Sequence, residues 1–303
     1  MLRADFIATG VPHNKTLQLA AENVVDNSIL GFEYVSDAIE HELRVFWAFT
    51  WRDWSASLIP GAIYTVAALR SLDSVSTEVV IQALTRSFVY FLLYIYSFDI
   101  ANQINGVAED RINKPDRPPA LPHSKARTSD GTPRPSCTSS SALHGAVYGG
   151  YKHWFTKNLG FMSIGSLCLL HGAWGLVAPI TGHQWRWALL LSSVFGIVAS
   201  VQDMRDMEGD KIAGRRTLPI VLGNNFRWVM ASLICAAPAV CWQLEFFRYT
   251  HWLVGVCSAL LSLAMFYIAY RVYQGGSSRY DHKTYMILTY IYCGCVAVPM
   301  LFP

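Results

Sequence analysis

The amino-acid sequence predicts an all-α protein, a multi-span bundle of transmembrane helices. Of its 303 residues, 52% are hydrophobic and only 15% are charged, and the mean hydropathy is +0.27. In an ordinary soluble domain roughly a quarter of the residues are charged. The apolar residues also come in long blocks and not at amphipathic spacing. The composition therefore indicates a lipid bilayer as the solvent.

Seven blocks of the chain are predicted to span the membrane. A spanning helix needs about 20 mostly apolar residues. In chain order, the predicted spans cover residues 54–69, 79–98, 159–180, 188–201, 226–242, 252–270 and 285–302. The second and the last of these carry more polar residues than the other five.

The chain is predicted to consist of an N-terminal cytosolic segment, residues 1–45, and a transmembrane domain, residues 46–303. The first segment lacks the basic start and apolar core of a cleavable secretory signal, so the first span is expected to direct insertion. Within the transmembrane domain, residues 114–141 are rich in proline and serine, which is the composition of a disordered loop. Such a stretch cannot span a bilayer, because proline removes backbone donors.

Basic residues are concentrated on one side of the predicted topology. Lysine and arginine near span ends accumulate on the cytoplasmic side of membrane proteins. Here they follow the second, fourth and sixth spans and are sparse in the opposite loops. We expect a multi-pass integral membrane protein whose N-terminus and basic loops face the cytosol, with the endoplasmic reticulum as its membrane. The bilayer is its expected partner, whereas the sequence indicates no nucleic acid and identifies no protein partner.

An acidic cluster closes the second predicted span. Asn102, Gly106 and Asp110 recur every four residues, so on a continuing helix they form one stripe. Gly106 leaves a gap between two side chains that carry oxygen. Such a stripe can bind a hard cation that keeps several waters and takes further ligands from a phosphate.

A second cluster ends the fourth predicted span. Asp203, Asp206 and Asp210 lie at positions i, i+3 and i+7 of one helix face, where cations are needed to relieve their mutual repulsion. A charge at membrane depth costs up to about 3 kcal/mol on insertion scales. Two spans separate the clusters, so both are predicted on the cytosolic face. The sequence therefore predicts a magnesium site formed by Asn102, Asp110, Asp203, Asp206 and Asp210.

Basic residues beside the clusters are candidates for binding a diphosphate, since arginine pairs with phosphate oxygens and lysine acts as a point charge. The predicted contacts are Lys114, Arg117, Arg205 and Lys211. The alternative is ordinary span-end charge in the headgroup region, reinforced by the cytoplasmic bias of basic residues. Two spaced clusters on one face favour the functional interpretation.

Both motifs, with the Gly-Arg-Arg-Thr-Leu-Pro run at 214–219, resemble the UbiA superfamily of membrane prenyltransferases. The spacing Asn102-x3-Gly106-x3-Asp110 is closest to the form found in fungal UbiA-type terpene cyclases, and residues 113–118 continue the likeness. The resemblance runs from about Phe46 to the C-terminus. It implies a helical bundle around a central cavity, two motifs that hold magnesium, and an isoprenyl diphosphate bound with its tail inward.

The resemblance also implies nine spans, two of them between the first motif and the span that begins near Leu159. The proline- and serine-rich stretch and the residues up to 154 stand in that place here. The chain therefore departs from the family pattern in its middle.

Three hypotheses follow. The leading one is a magnesium-dependent terpene cyclase of terpenoid secondary metabolism that ionises farnesyl or geranylgeranyl diphosphate and cyclises the resulting cation. The second is a prenyltransferase that delivers the cation to an aromatic or quinone acceptor. The third is an inactive or non-enzymatic membrane relative. Aromatic faces stabilise cations, and the candidates are Tyr94, Phe98, Trp174, Tyr285 and Tyr292.

Overall fold

The computed structural model describes residues 34–113, 152–244 and 252–301, with the side chains of 101–113 left out. The chain divides into two compact units, residues 1–48 and 49–303. In the first unit the described residues, 34–48, are helical and are called α1. The helices of the second unit are α2 (Leu58–Arg70), α3 (Thr77–Asn113), α4 (Ser163–Gly175), α5 (Gly182–Val198), α6 (Asp203–Ile212), α7 (Leu218–Leu222), α8 (Phe226–Gln243), α9 (Trp252–Gln274) and α10 (Ser278–Ala297).

Short segments of other helical types connect some of these helices. A π-helix precedes α4 at Thr156–Met162, and 3-10 helices occupy Trp51–Ala56, Ala199–Gln202, Gly223–Asn225 and Val298–Leu301. The described residues form no β-strand; a single bridge joins His153 to Arg216. The predicted all-α fold is confirmed.

Among the described residues, five helical stretches are long and apolar enough to cross a membrane. They are Thr77–Ile100, Gly182–Ile212, Leu218–Gln243, Trp252–Gln274 and Ser278–Leu301. Each contains or overlaps a predicted span, which confirms an integral membrane protein. Large apolar side chains of α9, such as Leu260, Leu263 and Phe266, are exposed on the bundle surface, where a bilayer covers them.

The other two predicted spans are helical but shorter than expected. At Ser57, whose φ is −131° and ψ is −71°, the backbone departs from helical geometry, so α2 has only 13 residues. The block at 159–180 is divided between the π-helix, the 13 residues of α4 and a turn that is followed by Pro179. A hydropathy pattern does not register such breaks, because the residues on both sides remain apolar.

The turn between α9 and α10 is specified by local chemistry. Gly275 has a φ of +66°, which favours glycine and ends α9. Ser277 then caps α10, because its hydroxyl accepts a hydrogen bond from the Tyr280 amide at 3.3 Å. These signals place the first turn of α10 beside α6.

The core of the second unit is formed where α2, α4, α5 and α10 pack together. The largest fully buried side chains include Tyr64, Leu169, Trp187 and Leu288. Helix α3 packs against α2, α4 and α6, and α8 pairs with α9. The residues that carry both sequence motifs therefore lie on neighbouring helices, α3 and α6.

One contact between α5 and the π-helix has no room for a side chain. A Cβ added at Gly196 would lie 2.7 Å from the backbone carbonyl oxygen of Asn158. Asn158 donates from its side-chain amide to the hydroxyl of Ser200, one turn further along the same face. Glycine at position 196 thus allows the two backbones to approach closely.

We expect Gly196→Ala to lower the stability of the folded protein by about 1–3 kcal/mol, the usual cost of overpacking a close contact. The measurement is the thermal unfolding midpoint of the purified protein in detergent, followed by tryptophan fluorescence. Gly182→Ala is the matched control, because a Cβ at the first residue of the same helix meets no atom within 4 Å. Equal midpoints for both variants would contradict the steric argument.

Candidate active site

The second acidic cluster is buried at the end of the apolar run Gly182–Ile212. The exposed fractions of Asp203, Asp206 and Asp210 are 1%, 6% and 0%. A 3-10 segment, Ala199–Gln202, connects the cluster to α5. Charges in the headgroup region are ordinarily solvated, whereas buried carboxylates need cations as partners. This burial favours the functional interpretation over ordinary span-end charge.

Asp203 pairs with a lysine from the π-helix. The ammonium of Lys157 lies 2.6 Å from Oδ1 of Asp203, and its side chain is 15% exposed. The sequence alone placed Lys157 only among the basic residues of a loop. Single-turn π segments inside helices are frequent at functional sites, but no periodicity in the sequence predicts one here.

Asp206 is connected to α10 through Arg205. The guanidinium of Arg205 donates to the Asp206 carboxylate, with Nε 3.2 Å from Oδ1, and also to Nδ1 of His282. Its central carbon lies 5.4 Å from the centroid of the Tyr285 ring, within the range of a cation–π interaction. Ser278 donates to the Arg205 carbonyl oxygen at 3.3 Å. Arg205 and Tyr285, both predicted candidates, therefore lie at the cluster.

Asp210 pairs with Arg215, whose Nη1 lies 3.6 Å from Oδ1. The loop folds back because Gly214 has a φ of +66° and the Arg215 amide donates to the Asp210 carbonyl oxygen at 2.8 Å. Arg215 is buried, whereas Lys211, the predicted contact, is exposed and pairs with no carboxylate of the described residues. Sequence proximity favoured Lys211, but the left-handed glycine turns Arg215 back over the cluster.

Part of the first motif can be placed by its backbone. Asn102 and Asp110 lie on α3, which contacts α6 directly. Lys114 and Arg117 lie outside the described residues. Asp99, three residues before Asn102 on the same helix, is fully buried. The sequence signal for it is a carboxylate directly after the second predicted span, about one helical turn before Asn102.

Aromatic side chains lie on the helices that pack around α6 and α4. Tyr94 and Phe98 stack on α3 with centroids 6.2 Å apart, and Tyr292 stacks on Phe195 at 4.1 Å. The Tyr292 hydroxyl is 2.7 Å from the hydroxyl of Ser166 on α4. By contrast, Trp174 packs on Tyr64 at 5.1 Å, and its indole N–H donates to the Pro179 carbonyl oxygen, so it belongs to the core.

A pocket with an almost entirely apolar lining lies between α5, α8, α9 and α10. It contains about 520 Å³ of empty space, part of it open to the outside. Phe195 and Tyr292 form part of its wall. Tyr292 thus contacts this pocket on one side and Ser166 of α4 on the other.

A model of the UbiA prenyltransferase family matches residues 135–291, more than half of the chain. The chain belongs to the UbiA family. The match contains the second acidic cluster and begins after the first. The UbiA resemblance predicted from the two motifs is therefore confirmed.

Several relatives match most of the chain. The diterpene cyclase eriG of Hericium erinaceus is 36% identical over 286 residues, which cover 84% of this chain and 87% of the relative. The polyprenyl transferase eriF of the same fungus is 34% identical, covering 84% and 93%. A somaliensene A/B synthase of Streptomyces somaliensis is 29% identical, covering 86% and 93%.

A solved structure of digeranylgeranylglyceryl phosphate synthase shares the fold. Its TM-score with this protein is 0.55, over 86% of this chain and 98% of that chain, at 17% sequence identity. An identity this low supports the shared fold alone. It agrees with the UbiA-like helical bundle that the sequence predicted.

The oxygen donors of the candidate site suit magnesium. In the described residues no three His, Cys, Asp or Glu side chains converge closely enough to hold a metal ion by themselves. Magnesium is commonly bound by one or two carboxylates together with waters and substrate phosphates, so it does not need an all-protein cage. The buried carboxylates of α6 fit this ligand set.

Proposed function

We propose that this UbiA-family protein is a magnesium-dependent terpene cyclase acting on farnesyl or geranylgeranyl diphosphate. The observation that carries the proposal is the buried cluster Asp203, Asp206 and Asp210, which is paired with three basic side chains and packed beside the helix of the first motif. Magnesium, when bound, neutralises the diphosphate and favours its departure as an anion. The proposed ligands of the magnesium ion are Asn102, Asp110, Asp203, Asp206 and Asp210.

The basic side chains have separate proposed roles. Arg205 and Arg215 hold the carboxylates in position while presenting positive charge toward the diphosphate. Lys114, Arg117 and Lys211 remain proposed contacts to the same group. Breaking the bond between C1 and oxygen leaves an allylic cation, whose empty orbital is filled by an electron pair from a double bond of the same chain. Loss of a proton then gives the cyclic hydrocarbon.

The aromatic side chains and the exclusion of water decide the fate of the cation. An aromatic face in a desolvated site stabilises a cation by about 2 kcal/mol. The proposed lining residues of the cation's cavity lie on α3 and α10, the helices next to α6. They are Tyr94, Phe98, Tyr285 and Tyr292. The bilayer and the packed helices keep water from the cation, which would otherwise be quenched as an alcohol.

Prenyl transfer to an aromatic or quinone acceptor is the second candidate, supported by the similarity to the polyprenyl transferase eriF. The spacing Asn102-x3-Gly106-x3-Asp110 favours cyclisation. The two reactions share their ionisation step and differ in what captures the cation.

The deciding experiment incubates membranes containing the protein with farnesyl or geranylgeranyl diphosphate and magnesium, without an acceptor. Gas chromatography coupled to mass spectrometry is expected to detect a cyclic hydrocarbon that is absent when EDTA is added. Product formation only after an aromatic acceptor is supplied would instead establish transfer. Absence of diphosphate release under both conditions would refute an enzymatic function.

We also propose that the protein resides in the endoplasmic reticulum with its acidic end toward the cytosol. The proposal is supported by the bias of lysine and arginine toward the loops after the second, fourth and sixth predicted spans. Protease digestion of an N-terminal tag in sealed microsomes tests it. Protection of the tag from the protease would show that the N-terminus faces the lumen, which is the opposite of the proposed orientation.

A further inference from the structure

A buried ion pair connects the π-helix to the first turn of α6. Lys157 and Asp203 approach to 2.6 Å, and their side chains are only 15% and 2% exposed. A lysine at such a place lacks the full hydration that an exposed ammonium has. The carboxylate that it holds is one of the proposed magnesium ligands.

The position of Lys157 is fixed by its neighbours and does not depend on the ion pair alone. The next residue, Asn158, is buried and hydrogen bonded to Ser200 of the 3-10 segment. The Asn158 carbonyl oxygen accepts a hydrogen bond from the Ser163 hydroxyl at 3.2 Å and lies against Gly196. The backbone of the π-helix is therefore held beside the cluster, and the ammonium of Lys157 is carried on the flexible four-carbon stem that every lysine has.

Lysine and magnesium make competing demands on Asp203. Magnesium takes carboxylate oxygens at about 2.0–2.1 Å in near-octahedral geometry. An ammonium 2.6 Å from Oδ1 would stand close to that ion. Because like charges repel strongly in a buried site of low dielectric, the two cations disfavour each other on one carboxylate.

We propose that Lys157 is an exchangeable counter-ion of the metal site. It neutralises Asp203 while no metal is bound and leaves the carboxylate when magnesium arrives together with a diphosphate, whose negative charge receives the ammonium. This inference rests on the proposed function of the site. It makes Lys157 a positioning residue that opposes binding of the metal alone and favours joint binding of metal and diphosphate.

The consequence is thermodynamic coupling between the two ligands. Displacing Lys157 is unfavourable for magnesium alone, because the ammonium then gives up its ion pair with Asp203. A diphosphate supplies a replacement anion, so each ligand raises the affinity of the other by the same factor. Removing the positive charge at position 157 should therefore strengthen metal binding and weaken the coupling.

The test measures Mn²⁺ binding to the full-length purified protein by electron paramagnetic resonance, with and without inorganic diphosphate. We expect Lys157→Met to bind Mn²⁺ alone about tenfold more tightly than the native protein, within the usual range of coupling energies, and to lose most of the gain from diphosphate. Lys157→Gln, which keeps a hydrogen-bond donor to Asp203, should behave in the same way. Lys152→Met, an exposed lysine five residues earlier, should match the native protein.

Weaker or unchanged Mn²⁺ binding in the folded Lys157 variants would overturn the exchange model while leaving the proposed function intact. Equal behaviour of the Lys152 and Lys157 variants would overturn it as well. If the native protein binds no Mn²⁺ even with diphosphate, the metal site itself fails, and the proposed function fails with it. The Gln variant keeps the test available if the Met variant does not fold.

Discussion

Asp206→Asn is expected to lower kcat/KM for magnesium-dependent diphosphate release by at least about a hundredfold, as is typical when an electrostatic contact to a developing charge is lost. Asparagine has nearly the same shape but removes the negative charge that a metal ion and Arg205 both require. The measurement is release of diphosphate from farnesyl diphosphate by the purified protein in lipid nanodiscs.

Glu208→Gln is the matched control for Asp206→Asn. It makes the same chemical change on the same helix, but Glu208 is exposed. Its activity is expected to remain within a factor of about two, as for a surface substitution away from special features. If both variants lose activity equally, the effect arises from the net charge of α6. A fully active Asp206→Asn variant would remove Asp206 from the metal site.

The largest effect on stability is expected from Arg227→Met. Arg227 forms a two-point ion pair with buried Asp281, with distances of 2.7 Å and 3.2 Å, and also donates to the carbonyl oxygen of Val272. Removing one partner leaves a buried charge and typically costs about 3–5 kcal/mol. We expect a cost at the lower end of this range, because the Arg227 side chain is 32% exposed and part of its charge is solvated. Thermal unfolding in detergent, with tryptophan fluorescence as the signal, measures the loss.

Two further variants test the cause of that loss. Arg279→Met removes an exposed arginine two residues before Asp281 and should leave the unfolding midpoint nearly unchanged. The double variant Arg227→Met with Asp281→Leu should recover part of the stability, because it removes both charges. If the double variant is no more stable than Arg227→Met alone, the ion pair is not the source of the loss. The hydrogen bond from Arg227 to the Val272 carbonyl oxygen then stabilises the turn between α9 and α10.

The sequence predicts the helices better than their interruptions. Long apolar blocks identify α8, α9 and α10 because burial in lipid leaves few polar residues. The π-helix at Thr156–Met162 packs against α5, which comes from a later part of the chain. Gly196 illustrates this contact, since its role is defined by the Asn158 carbonyl oxygen across the helix interface.

For the candidate site, spacing identifies the carboxylates but not all of their partners. Asp203, Asp206 and Asp210 follow the helical period, so one short window of sequence contains the signal. Lys157 is 46 residues from Asp203, and no local pattern relates the two. Sequence proximity favours Lys211 over Arg215, whereas the direction of the chain after α6 depends on the left-handed backbone of Gly214.

The close contact between Gly196 and the Asn158 backbone also matters for engineering. The distance between the π-helix and α5 determines where the ammonium of Lys157 meets the carboxylate of Asp203. A designer who seeks new products can vary aromatic positions such as Phe195 or Tyr292, which line the apolar pocket. Three residues, Asn158, Gly196 and Ser200, should be transferred between scaffolds together. Their contacts set the distance between the π-helix and α5.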